Sequence, residues 1–208
     1  GQGHETLSRQ MLAGMLGLEC EQGRLLQGDT DVAMAGTGTF GSRSSGVGGA
    51  SIQAASNKII EKCKIVVAHH LEVAVEDLEF NDGTFTVAGT DKNMSLMNAA
   101  KHAQNFMTAP PGFEVGLDEW AAWSPPAPTF PNGCHIAEVE IDPDTGMTEI
   151  VRYCMVDDVG TVINPLLLSG QVHGGAVQGI GQIMCENMVW DDESGQMVSG
   201  SFMDYCMP

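Results

Sequence analysis

The sequence predicts an α+β protein, with helices packed on antiparallel hairpins and sheets in two subdomains. Three observations carry that expectation. Apolar stripes of helical period are interspersed with short strand-like runs joined by tight-turn residues, which is not the regular alternation of a parallel sheet. Six of the nine prolines crowd between Pro110 and Pro131, and proline marks a connector because it lacks a donor and restricts its neighbour. Charge also changes there. Residues 1–109 hold 8 basic and 12 acidic side chains, whereas 110–208 hold one basic residue, Arg152, against 15 acidic ones. The expected organisation is a first subdomain over 1–109, a Pro-rich connector over 110–133 and a second subdomain over 134–208. With 208 residues, 43% of them hydrophobic and 17% charged, the chain can bury a core without disulfides.

Leu7, Met11, Met15 and Leu18 recur at helical spacing and predict a helix over 5–17. Gly23 breaks the chain, and Arg24 to Gln27 read as a short strand. Ile52, Ala55, Ile59, Cys63 and Val66 form an apolar stripe on a second helix that runs to about His70. Asn81-Asp82-Gly83, between Leu78–Phe80 and Phe85–Val87, is hairpin chemistry. A third helix is expected over 95–107. In the second half, Ile136, Val139 and Ile141 lead into the turn Asp142-Pro143-Asp144-Thr145-Gly146, and 150–156 returns as a strand. Asn164-Pro165 opens a helix, with proline near its first turn. That helix carries Gly170, Gly174, Gly175, Gly179 and Gly181, each costing about 1 kcal/mol against alanine in a helix interior. Such repetition implies close approach of a ligand or of another backbone; tight helix packing is the plainer alternative. A last hairpin is expected from 188–190 and 196–198 around Asp191 to Gly195.

Nine basic against 27 acidic residues leave a formal charge of −18. That argues against nucleic acid or an anionic membrane as partner, since both would repel it. Apolar runs of about four residues fall far short of the ~18–20 needed to span a membrane. No leader pattern opens the chain. The six cysteines, at 20, 63, 134, 154, 185 and 206, form no Cys-x-x-Cys pair. This counts against an iron–sulfur cluster or structural zinc on this chain and favours reduced thiols in the cytoplasm. No initiator methionine stands before Gly1-Gln2-Gly3-His4, and the chain stops at Cys206-Met207-Pro208, so processing or truncation is expected. Thirteen methionines are read as adaptable core filling. His69-His70 is explained by a helix C-terminus more simply than by a metal. The carboxylates at Glu138/Glu140, Asp157-Asp158 and Asp191-Asp192-Glu193 are read as solvated surface.

Three glycine-flanked polar patches remain. In the segment 36–49, six of 14 residues are Gly and three are Ser. Glycines let the backbone expose successive N–H groups as an anion-binding concavity, Ser hydroxyls and Arg43 add donors, and the following helix presents its N-terminus there. A mobile linker is the alternative. Residues 36–41 also spell Gly-x-Gly-x-x-Gly, but Asp29 and Asp31 interrupt the strand a dinucleotide fingerprint needs, and eight further loop residues precede Ala50. The second patch is Gly1-Gln2-Gly3-His4-Glu5-Thr6, where Gln2 can both donate to and accept from a heterocyclic edge. The third is Ser169-Gly170-Gln171-Val172-His173-Gly174-Gly175-Ala176-Val177-Gln178-Gly179.

Taken with Gly28-Asp29-Thr30-Asp31 and Gly200-Ser201-Phe202-Met203-Asp204-Tyr205, these patches resemble, in order and over residues 1–208, the molybdenum-binding large subunit of the xanthine dehydrogenase/aldehyde oxidase family, carbon monoxide dehydrogenase type. The resemblance implies the molybdopterin-binding region of a molybdenum hydroxylase, an oxidoreductase that hydroxylates a carbon centre using water. The substrate would be a small molecule: an aldehyde, an N-heterocycle or carbon monoxide. The cofactor would be molybdopterin carrying molybdenum, often as the cytosine dinucleotide in bacterial members, with the metal held by the pterin dithiolene and by no protein side chain. Gln2, Gly3, Gly41, Ser42, Arg43, Ser44 and Gln171 would bind it. Electrons would leave through iron–sulfur and flavin (FAD) centres on partner subunits or domains. The family's catalytic glutamate follows the segment matching Phe202–Tyr205, and its substrate loops precede the segment matching Gly1. The chain is therefore expected to be an interior piece without a catalytic residue, inactive alone, with apolar surfaces for the rest of the subunit or for self-association into a homo-oligomer. The rival readings are a non-catalytic pterin- or nucleotide-binding module and a structural interaction domain.

Overall fold

The computed structural model describes residues 2–33, 36 and 38–208. Gly1 of the opening patch and Thr37 of the glycine-rich loop lie outside the described residues. Two compact units are distinguished, one of residues 4–161 and one of residues 162–208 together with the first three residues.

In the larger unit, α1 (His4–Leu16) and α2 (Gly49–Leu71) pack on a three-stranded antiparallel sheet, β1 (Leu78–Asn81), β2 (Thr84–Val87) and β3 (Asn93–Ser95), followed by α3 (Leu96–Ala103). The core gathers Leu16, Cys63, Val67, Ala68, Leu78, Phe85, Val87, Leu96 and Ala99, with Phe85 fully buried against Phe80 at 4.7 Å between ring centroids. The β1–β2 turn is built as its residues require: Asp82 and Gly83 both take positive φ, +43° and +72°, the conformation that suits a two-residue hairpin. This turn docks on the end of α1. Gly17, at φ +63°, faces Gly83 so closely that a Cβ on Gly17 would strike the Gly83 backbone, and one on Gly83 would stand 2.6 Å from the Gly17 carbonyl oxygen. The Gly83 carbonyl in turn accepts from Leu96 N at 2.7 Å, which starts α3, and Ser95 caps that helix by accepting from Asn98 N.

Three expectations shift. Arg24–Gln27 forms no strand; Gln27 instead reaches His4, Nε2 to Nδ1 at 3.2 Å. Strand β3 was not foreseen, because Asn-Met-Ser carries little strand signal. Helix α3 ends at Ala103, four residues early, where the Ala103 carbonyl accepts from Gly116 N at 2.9 Å. The Pro-rich segment is bound to this unit over its first part. Lys58 Nζ donates to the Trp120 carbonyl at 2.6 Å, Lys62 pairs with Glu119 at 3.0 Å, and Leu117 packs on the core. The Glu119 hydrogen bond holds the Lys62 ammonium above its usual range.

Beyond it, β4 (Asn132–Ile141) and β5 (Thr148–Asp158) form a long antiparallel ribbon with a register shift at Glu138/Val139. The Asp142 carboxylate closes its turn, accepting from Asp144 N and Thr145 Oγ1, both at 2.8 Å; these bonds hold its pKa below the usual carboxylate range. On one ribbon face, His135 bonds Tyr153 Oη at 3.2 Å and Asp157 Oδ1 at 3.1 Å. The ribbon groups with the larger unit, so the compact units divide at 161/162, after the connector that composition singles out.

The smaller unit is organised by α4 (Pro165–Met184). Asn164 caps it, accepting from Leu167 N at 3.0 Å, with Pro165 in the first turn. Its end is sealed where Pro208 presses on Gly181 and Tyr205 Oη donates to Glu186 at 2.9 Å. The expected last hairpin is reduced to one bridge, Trp190 to Met197, with Val189 N bonded to the buried Ser199 hydroxyl at 2.8 Å. Among the described residues, no helix is long and apolar enough to cross a membrane.

Candidate functional site

The loop of the larger unit places Gly41, Ser42, Arg43 and Ser44 in one tight turn before α2. Gly38 (φ +85°), Gly41 (φ +62°) and Ser42 (φ +53°) all lie in the left-handed region. For a non-glycine L-residue such as Ser42, that conformation costs about 1–2 kcal/mol. Strain of this kind concentrates at ligand clamps and active sites. The Ser44 hydroxyl donates to Thr39 Oγ1 at 3.3 Å, bracing the turn. From Ser44 the chain enters a single π turn, Ser44–Gly48, that runs directly into α2. The first N–H groups of a helix have no intrahelical acceptor and favour an anion. Among the described residues, nothing beyond the adjoining chain stands within 4 Å of where a Cβ would project at Gly41, Gly46 or Gly48. Gly49 differs: a Cβ there would meet the end of the Met11 side chain, where α1 lies against α2.

In the smaller unit, Gly3 of the opening patch stands beside the helix that carries the third patch. Gly3, at φ +73°, lies against Leu167 in the first turn of α4, where a Cβ would meet its Cδ1 at 2.9 Å. Gln171 follows Leu167 by four residues and shares its helix face. Gln2 precedes Gly3, and both glutamines are exposed. Gly170, Gly174, Gly175 and Gly179 have nothing within 4 Å. Packing among the described residues therefore does not account for them. The helix is apolar and yet exposed, with Leu166 and Ile183 each more than four-fifths accessible.

One feature of the loop was not read from the sequence. The Arg43 guanidinium lies over the Phe40 ring, 4.2 Å from its centroid. The signal was present as an aromatic residue three positions before the only cation of a glycine-rich segment. Among the described residues, no group of three or more His, Cys, Asp or Glu side chains is placed to hold a metal ion.

The molybdopterin cofactor-binding domain model matches residues 1–208. The chain belongs to this family. Over its whole length this molybdopterin cofactor-binding domain is 38% identical to the carbon monoxide dehydrogenase large chain of Afipia carboxidovorans, and it covers 26% of that protein. It is 31% identical to a putative xanthine dehydrogenase molybdenum-binding subunit of Escherichia coli, covering 28% of it. The crystal structure of a Cu,Mo-CO dehydrogenase matches the whole chain with a TM-score of 0.87 at 37% identity, over 26% of that chain. The domain thus spans about a quarter of the length of these relatives, and its mixed helices and small antiparallel sheets are those of the dehydrogenase's molybdopterin-binding region. The donor set suits the family's cofactor. In the larger unit, Ser42, Arg43 and Ser44 offer donors for oxyanions beside Gly41; in the smaller unit, Gln2 and Gln171 can address a ring edge from either side of a hydrogen bond.

Proposed function

We propose that this domain cradles the molybdopterin cofactor within the large subunit of a molybdenum hydroxylase, an oxidoreductase acting on a small aldehyde, N-heterocycle or carbon monoxide. The observation that carries this reading is the pair of successive left-handed residues, Gly41 and Ser42, facing open space at the entrance to α2. When bound, the cofactor supplies a molybdenum centre that activates water for hydroxylation of a carbon. The chain's own part is binding and orientation. N–H groups of the 41–44 turn and the Ser42 hydroxyl donate to phosphate oxygens, the Ser44 hydroxyl braces that turn through Thr39, Arg43 neutralises the phosphate charge, and Gln2 and Gln171 fix the ring edge, with Gly3 allowing Gln2 its approach beside α4. A cytosine dinucleotide tail would engage the same donors through a second phosphate. The catalytic glutamate and substrate-contacting loops would lie in parts of the subunit outside these 208 residues, so the domain alone would not turn over. Iron–sulfur and flavin partners would carry electrons away. The open surroundings of Gly170, Gly174, Gly175 and Gly179 favour this reading over a structural domain whose glycines serve packing.

The test is molybdenum by elemental mass spectrometry and pterin by fluorescence, per chain, on the complete protein from a molybdate-supplied host. Ser44→Ala and Gln171→Ala each remove one hydrogen bond, worth about 1 kcal/mol or roughly fivefold in affinity. Both should therefore lower cofactor content under limiting supply. Wild-type content in both variants would overturn the assignment.

A further inference from the structure

We propose that Tyr153 is a modification site: its hydroxyl is a nucleophile for an acyl donor, with His135 as the base that takes its proton. The site lies on the β4–β5 ribbon and is independent of the cofactor reading.

Three side chains of one ribbon face meet there. In the ribbon register Gly133 stands opposite Asp157, His135 opposite Met155 and Ala137 opposite Tyr153. His135 therefore lies between two polar residues of the facing strand, one on each diagonal. It reaches both. Nδ1 is 3.2 Å from Tyr153 Oη, and Nε2 is 3.1 and 3.2 Å from the two Asp157 carboxylate oxygens. The His135 and Tyr153 rings meet edge to face, with centroids 5.9 Å apart. Gly133 makes room for the carboxylate, since a Cβ there would strike Asp157 Oδ1. The cluster is also within reach of solvent: Tyr153 is half-buried, and the His135 side chain is 37% exposed.

The hydrogen bonds fix where the protons are. A carboxylate only accepts, so Nε2 carries the imidazole proton and donates it to Asp157. Nδ1 is then the acceptor, and the Tyr153 hydroxyl donates to it. A nucleophile in hydrogen-bond reach of a base, with the base oriented by a third group, is the arrangement that activates a hydroxyl. Tyr153 Oη attacks the carbonyl carbon of an activated ester or thioester, and its proton passes to Nδ1. The bond from that carbon to the leaving group breaks, and the leaving group departs with the electron pair and takes up the proton. Tyr153 is left as an ester, with no change of oxidation state. Asp157 is a positioning residue: it sets the imidazole tautomer and faces the positive charge the ring gains.

The chain supplies its own control. Its only other tyrosine is Tyr205, whose Oη donates to Glu186 at 2.9 Å, a bond that holds its ionisation above the usual range. The experiment treats the complete protein with N-acetylimidazole and follows acetylation of each tyrosine by peptide mass spectrometry. Tyr153 should react about a hundredfold faster than Tyr205, the low end of what a positioned base supplies. His135→Gln should remove most of that advantage. Asp157→Asn should lower it by about tenfold or more, because an amide can hold the imidazole in the wrong tautomer. The Tyr205 rate should stay at the wild-type value in both, which reports an intact fold. A second readout needs no variant. Asp157 and Tyr153 are the titratable groups that share this ribbon face with His135, while Glu138 and Arg152 pair on the opposite face. The ratio of Tyr153 to Tyr205 rates should therefore fall between about pH 8 and pH 5, as the imidazole takes a proton of its own and stops accepting one. Equal rates for the two tyrosines, a ratio that is flat with pH, or an undiminished Tyr153 in His135→Gln would each overturn the proposal and leave the three side chains as a tie across the ribbon.

Discussion

Ser42 offers a test in which stability and binding move in opposite directions. Its φ of +53° lies where an L-residue is strained. Replacing it with glycine removes about 1–2 kcal/mol of that strain but adds roughly 0.5–1 kcal/mol of unfolded-state freedom. The two ranges leave a net stabilisation of about 0–1.5 kcal/mol, whose mid-range raises the thermal midpoint of a chain of this size by roughly 2–3 °C. The same substitution deletes a hydroxyl aimed, on the proposed reading, at a phosphate oxygen. A hydrogen bond to a charged group contributes about 1.5–3 kcal/mol, a factor of roughly ten to a hundred in affinity. Ser42→Gly should therefore be more stable than wild type without cofactor and poorer at keeping cofactor.

Ser42→Ala separates the two effects. It keeps the strained φ and loses only the hydroxyl, so its cofactor-free midpoint should match wild type while its cofactor content falls with that of Ser42→Gly. The assay pairs circular-dichroism melting of protein from a cofactor-deficient host with pterin quantification of protein from a competent one. The first must be done without cofactor, because any ligand that binds only the folded state raises the midpoint. An unchanged or lower midpoint for Ser42→Gly would refute the strain argument. Wild-type pterin content in both variants would refute the role of the hydroxyl.

Two further outcomes concern the scaffold. Gly17→Ala should destabilise far more than Gly89→Ala. Both glycines have positive φ, but a Cβ at Gly17 meets the Gly83 backbone whereas at Gly89 it meets nothing within 4 Å. The second should cost only the conformational penalty of about 1–2 kcal/mol, and similar midpoints for the two would mean the hairpin does not dock on α1 as described. Cys63 is fully buried, and burial pushes its thiol up from about 9 to about 11. It should resist iodoacetamide at pH 8 until the chain unfolds, as peptide mass spectrometry would reveal. Because the folded thiol ionises later than the unfolded one, its contribution is intact below about pH 9 and is lost as pH rises toward 11, a decline of about 2–3 kcal/mol. Ready labelling at pH 8 in the folded state would contradict this.

What the sequence made legible is what local chemistry decides. Asn81-Asp82-Gly83 specifies its own turn, Asn164-Pro165 its own helix start, and Asp142 to Gly146 its own loop, so all three stand where expected. What it hid depends on distant partners. Arg24–Gln27 has strand composition, but a strand exists only with a neighbour. Helix α3 has no stop signal at Ala103; its end is set by Gly116, thirteen residues on. His70 and His102 stack with ring centroids 3.9 Å apart, and desolvation followed by the His70 charge holds His102 below its usual range, yet only the fold brings the two together. At the candidate site, the glycines advertised the loop, but nothing about serine announces a left-handed φ.

Glycine shows most clearly where the two kinds of information differ. By composition all 26 glycines are alike. In the fold they separate. Gly17, Gly83 and Gly133 sit where a Cβ would strike the backbone of another part of the chain, so packing alone requires them. Gly41, Gly46, Gly48, Gly170, Gly174, Gly175 and Gly179 meet nothing within 4 Å. In α4, alanine at any of the four open positions would favour the helix by about 1 kcal/mol. The stability of this chain therefore gives no reason for glycine there. Openness by itself is not the mark, since Gly14, Gly28, Gly89, Gly146 and Gly160 are equally open outside the patches; what sets the α4 glycines apart is that four of them stand in one helix, at a cost that no contact among the described residues repays.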